Sequence, residues 1–173
     1  MEFIMNVKKL CEMQEILDQR IMEEHGLEGK NLEDNKILAL LVEICELANE
    51  TRCFKHWSTK GPSEQSVLLE EYVDSLHFFL SIANHRQYDV DCLYDVYRSE
   101  FQLKEAPLSL VASFKNVMSK IMEMEHNQNP FYYIQAFAAY LNLGKLLGFS
   151  WEEIEQGYIR KNEINHQRQD NGY

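Results

Sequence analysis

Two pairs of acidic residues, Glu43 with Glu46 and Glu71 with Asp74, carry the most pointed chemistry in this 173-residue chain. On an α-helix, residues three apart point in nearly the same direction, so each pair presents carboxylates from adjacent turns. If the two helices pack side by side, the four acids converge. Such a group repels itself strongly in a low dielectric unless cations lie within it. Mg²⁺ suits the place, because it takes oxygen ligands, keeps several waters and bridges carboxylates to phosphates. Glu43, Glu46 and Asp74 are all embedded in apolar sequence, whereas freely solvated acids usually have charged neighbours. The competing reading makes them boundary residues on two amphipathic helices.

The elements that must position these acids are helices. Leu10, Met13, Leu17 and Ile21 form one apolar stripe, which predicts a helix over 7–24. The second helix should be capped by Asp34, carry Ile37, Leu40, Leu41, Ile44 and Ala48 on one side, and fade near 54–57. Gly61-Pro62 marks a turn. Ser63 should cap a third helix through Val67, Leu68, Tyr72, Leu76, Phe79 and Ala83. A short connection between helices two and three implies antiparallel neighbours, which brings the acidic pairs face to face.

A weaker helix is expected over 89–103, and another over 110–124 with Pro107 at its first turn. A loop follows at 127–130, then an apolar helix over 133–147 ended by Gly148. Ser150 and Glu153 form a capping box for the last helix, whose polar end at 167–173 is expected to be mobile. No segment has strand period. The expectation is an all-α helical bundle with a central antiparallel helix set, forming one domain over residues 1–173.

Composition agrees. Seven Gly and three Pro are few turn-formers for this length. The net charge of −11 disfavours nucleic acid and anionic membranes as partners. Four cysteines occur without a Cys-x-x-Cys pair, which argues against a zinc or redox motif; Cys11 and Cys45 read as reduced core thiols. The N-terminus shows no apolar run with a cleavage site and no segment is long enough to span a bilayer, so a cytoplasmic location is expected.

The pattern Glu-x-x-Glu followed by Glu-x-x-Asp resembles the all-α nucleoside triphosphate pyrophosphohydrolase superfamily. LLVEICELANETRCFKHWS at 40–58, EEYVDSLHFFLSIAN at 70–84 and YIRKNEINHQRQDNGY at 158–173 are similar to the dimeric dUTPase family of Gram-positive bacteria and their phages. Residues 85–130 match least distinctly. The resemblance implies a homodimer that converts dUTP, and also dUDP, to dUMP. It implies two or more Mg²⁺ ions per site on Glu43, Glu46, Glu71 and Asp74, with Glu46 also orienting the attacking water as the catalytic residue.

Other positions have double readings. Tyr158, Lys161, Asn165 and Arg168 share one face of the last helix; this is either a solvated basic face or, by the resemblance, a phosphate-binding set. Gln14 is a polar helix residue by itself, and a base contact by the resemblance. Trp57 either stacks on the base or covers a helix end, and Asn84 is a base or sugar candidate. Rival functions are a pyrophosphohydrolase for another nucleotide such as dCTP, a di-iron bundle using Glu123-x-x-His126 and Glu163-x-x-His166, and a helical adaptor. A regulatory protein partner is also an open role, with 85–130 as its surface.

Overall fold

The structure is a computed structural model that describes residues 4–101 and 109–172. Its helices are α1 (Val7–Glu24), α2 (Glu33–Thr51), α3 (Gln65–His85), α4 (Val90–Val96), α5 (Leu110–Glu125), α6 (Pro130–Leu146) and α7 (Trp151–Asp170). No strand occurs among the described residues, so the protein is an all-α bundle. Pro107 and the end of the 89–103 expectation lie outside the described residues.

The first helix has the limits its stripe predicts. Helices α2 and α3 make the most extensive contact in the bundle, although the connection between them, 52–64, is longer than expected. Their starts differ from expectation. Asp34 lies inside the first turn of α2, after Leu32 at the cap position, and Asn31 accepts from the Glu33 N–H at 3.0 Å. Ser63 does not cap α3 either: its hydroxyl donates to Glu50, and Glu64 holds the cap position without a side-chain bond. Helix α2 stops at Thr51 because Arg52 turns left-handed at φ 55°. The expected loop at 127–130 instead supplies the start of α6, with Asn129 as cap and Pro130 in the first turn. The capping box of Ser150 and Glu153 is present.

The weaker fourth helix breaks. Its α-helical part ends at Val96, and Tyr97–Phe101 continues as a π-helical turn that buries Tyr97. Cys11 is buried as read, but Cys45 is exposed on the outer face of α2. Its apolar neighbours in sequence belong to the opposite face.

One apolar cluster runs through every helix. Tyr72 of α3 and Tyr140 of α6 stack with centroids 4.3 Å apart. Each donates to the other's carbonyl, Tyr140 at 2.7 Å and Tyr72 at 3.3 Å. Gly144 permits this approach, since a Cβ there would lie 2.4 Å from the Tyr72 hydroxyl. The buried Arg86 guanidinium binds Glu33 and the carbonyls of Met124 and Asn127, joining α2, α3 and α5. Helices α1 and α7 are tied at their far ends, where Arg20 donates to the His166 carbonyl at 3.1 Å and to Asp170 at 2.6 Å.

Candidate active site

Glu43 and Glu46 rise from adjacent turns of α2 toward Glu71 on α3. Each offers a carboxylate oxygen within 4.8 Å of the others, the only such metal-capable group among the described residues. Glu43 and Glu71 are partly buried, whereas Glu46 is exposed. Asp74, one turn beyond Glu71, is bound by the Lys161 ammonium of α7 at 2.8 Å; the same ammonium reaches Glu70 at 2.9 Å.

The electrostatics show how closely the acids crowd. Burial pushes the Glu43 carboxyl up from its ordinary 4.5 to about 7, helped by the negative charges of Asp74, Glu46 and Glu71. Burial also raises Glu71, with Asp74 and Glu46 adding to the shift. Asp74 is raised by burial although Lys161 pulls the other way. Hard oxygen donors that resist ionisation together match the donor chemistry of a Mg²⁺ site, because a cation would remove the repulsion.

A cleft of about 280 Å³ opens beside these acids. Glu43 and Asp74 line it together with Gln14 and Asp18 of α1, His77 and Ser81 of α3, and Asn165 and Arg168 of α7. Thus the structure brings seven of the proposed positions, Glu43, Glu46, Glu71, Asp74, Gln14, Asn165 and Arg168, to one region. Lys161 joins them through Asp74. It is buried rather than part of a solvated basic face.

Tyr158 is fully buried behind this cleft, with its hydroxyl donating to Gln14 Oε1 at 2.8 Å. Trp57 is 68 % exposed in the connection after α2 and packs edge-on against His56 and Phe54, outside the cleft. Asn84 donates to the Cys11 carbonyl at 2.9 Å and lines a different, larger cleft of about 810 Å³ between α1 and α4. Five acids, Glu12, Glu15, Asp89, Asp91 and Asp95, line that larger cleft, but none belongs to a metal-capable group among the described residues. The di-iron reading loses its site: His126 is largely exposed, and neither Glu123–His126 nor Glu163–His166 belongs to a metal-capable group among the described residues.

Sequence reading passed over Asp18, Glu70, His77 and Ser81. A signal existed for one of them, His77. Gln14 falls on the buried stripe between Leu10 and Leu17, and His77 falls between the buried Leu76 and Leu80. A polar residue on an apolar stripe must find partners, and here each is the other's: His77 Nδ1 lies 2.7 Å from Gln14 Oε1.

A helical bundle with a carboxylate group of this kind is consistent with a metal-dependent hydrolase. The family model described as dUTPase (dUTPase_2, all-α) matches residues 6–173, and the chain belongs to that family. No curated relative matches the sequence significantly. Family membership supports a hydrolase role in nucleotide metabolism, and no described helix is long and apolar enough to cross a membrane.

Proposed function

We propose that the protein hydrolyses dUTP, and dUDP as well, to dUMP in a Mg²⁺-dependent reaction. The observation that carries this reading is the three-glutamate group of α2 and α3 opening onto the cleft that contains Gln14 and Arg168. Glu43, Glu46, Glu71 and Asp74 would hold two or more Mg²⁺ ions. When bound, these ions supply charge neutralisation of the phosphates and acidify water.

The chain's own residues divide the remaining work. Glu46, the exposed acid of the group, orients the attacking water and accepts its proton. Arg168 and Asn165 line the cleft on α7 and face the phosphates there, while Lys161 holds Asp74 in place. Tyr158 acts behind them by fixing Gln14, which serves the base. Trp57 and Asn84 serve the base or sugar only if a second copy or a moving segment brings them in. The exposed apolar residues Leu38 and Val42 on α2, with Trp57 beyond its end, support a homodimer joined on this side. A cytoplasmic location completes the proposal.

The test is a side-by-side assay of dUTP, dUDP, dCTP and UTP with Mg²⁺ and again with excess chelator. The proposal expects dUTP and dUDP to be consumed only with Mg²⁺. Consumption of dCTP in preference to dUTP, or turnover of dUTP in chelator, overturns it.

A further inference from the structure

Three of the four acids on α2 and α3 proposed to hold cations form the metal-capable group, and Asp74 does not belong to it. Asp74 is held by a cation of the chain itself, for its Oδ2 lies 2.8 Å from the Lys161 ammonium. That ammonium has a second partner, Glu70 Oε1, at 2.9 Å. Lys161 is buried, the side chain of Asp74 is 20 % exposed and that of Glu70 is 59 % exposed. One buried cation thus joins an inner acid to an outer one.

The two acids face different spaces. Asp74 lines the active-site cleft beside Glu43. Glu70 and Lys161 line a separate cleft of about 270 Å³ between α3 and α7, together with Val73 and Gly157. Gly157 lets the helices approach there, since a Cβ on it would lie 3.0 Å from Val73 Cγ2. This close passage, one turn before Lys161, brings the ammonium within reach of both acids. Glu70 does not line the active-site cleft, so its effect on the reaction must pass through Lys161.

An ammonium has three donors and can release one acceptor while keeping another. With cations in the glutamate group, Asp74 is drawn to them and the ammonium beside it is repelled. Glu70 stands outside that group and stays available to Lys161. Without Glu70, Asp74 is the one acid left on Lys161 among the described residues. A divalent cation must then compete with a partly buried ion pair for the Asp74 carboxylate.

We propose that Glu70 is a positioning residue that acts through Lys161, taking up the ammonium so that Asp74 is released to the divalent cations. This rests on the proposed Mg²⁺-dependent hydrolysis and deepens it.

The experiment measures Mn²⁺ dissociation constants by electron paramagnetic resonance, without nucleotide, for the wild type, Glu70→Gln, Lys161→Met and the double variant. Glu70→Gln should bind Mn²⁺ on the order of 10-fold more weakly than the wild type. In the Lys161→Met background the same change should cost less than about 2-fold, because Glu70 is then a solvated surface acid. An equal loss in both backgrounds marks a bare surface charge and overturns the proposal, as does an unchanged affinity in Glu70→Gln. Should Lys161→Met not fold, ionic strength decides with Glu70→Gln alone. A deficit carried by a partly buried ion pair persists in about 1 M KCl, where the Debye length is about 3 Å. A deficit that vanishes there belongs to long-range attraction and overturns the proposal. A wild type that takes up no Mn²⁺ removes the cation-site reading and this one with it; tight uptake by the wild type and by Glu70→Gln alike removes only this one.

Discussion

Lys161 Nζ lies 2.8 Å from Asp74 Oδ2, so α7 reaches α3 and grips the acid one turn beyond Glu71. The ammonium is buried, and Asp74 and Glu70 compensate its charge there. Removing it leaves Asp74 among other acids without its cation. Lys161→Met should raise the Asp74 pKa further and reduce kcat/KM by on the order of 10²-fold. Carboxyl-carbon NMR titration follows the first effect and steady-state kinetics the second. An unchanged Asp74 titration would mean that the contact has no electrostatic weight.

The raised Glu43 carboxyl makes stability depend on pH in a defined direction. In the unfolded chain it titrates near its ordinary 4.5, and in the folded protein near about 7. The folded state therefore binds the proton more tightly. Its stabilising contribution is present below the unfolded value and is lost as pH rises through the folded one. In chelator, the melting temperature should fall as pH is raised across this window. Added Mg²⁺ should reverse the fall above pH ~7 and do little below pH ~4.5, where Glu43 is protonated. Differential scanning fluorimetry measures both, and a Mg²⁺ effect of equal size at the two ends would speak against the carboxylates as ligands.

Glu46 is the exposed member of the group and contributes little to packing. Glu46→Gln should consequently lower turnover by ~10²–10⁴-fold while the far-ultraviolet circular dichroism stays that of the wild type. Wild-type turnover in this variant would remove Glu46 from the chemistry.

Gly144 should tolerate no side chain. A methyl group there would meet the Tyr72 ring, whose hydroxyl and Cζ lie 2.4 and 2.5 Å from the Cβ position. Gly144→Ala should destabilise by ~1–3 kcal/mol, read from chemical denaturation. Because Tyr72 adjoins Glu71, the same change should weaken Mg²⁺ binding; a fully stable variant would show that α3 and α6 separate easily.

The helical frame was legible because its information is periodic. Leu10, Leu17, Ile37, Leu40 and Ile44 repeat with the period of the helix and are buried where the period places them. The acidic pairs were legible for the same reason. Cap positions were less so: Asp34 and Ser63 have the right chemistry for capping, but Asn31 and Glu50 compete for the groups involved. The polar wall of the cleft was the least legible part. Asp18, His77 and Ser81 come together from two helices by tertiary packing, and no spacing in the sequence encodes the approach of α1 to α3. Trp57 and Asn84 were singled out by residue type, and neither reaches this cleft within the chain.

Titration of the protein with Mn²⁺, followed by electron paramagnetic resonance, asks most directly whether the acids of α2 and α3 form a cation site. The wild type should take up the ion tightly, Mg²⁺ should displace it, and Glu71→Gln should lose most of the uptake while remaining helical. Equal uptake by wild type and Glu71→Gln, or none by the wild type with dUTP present, would contradict the account.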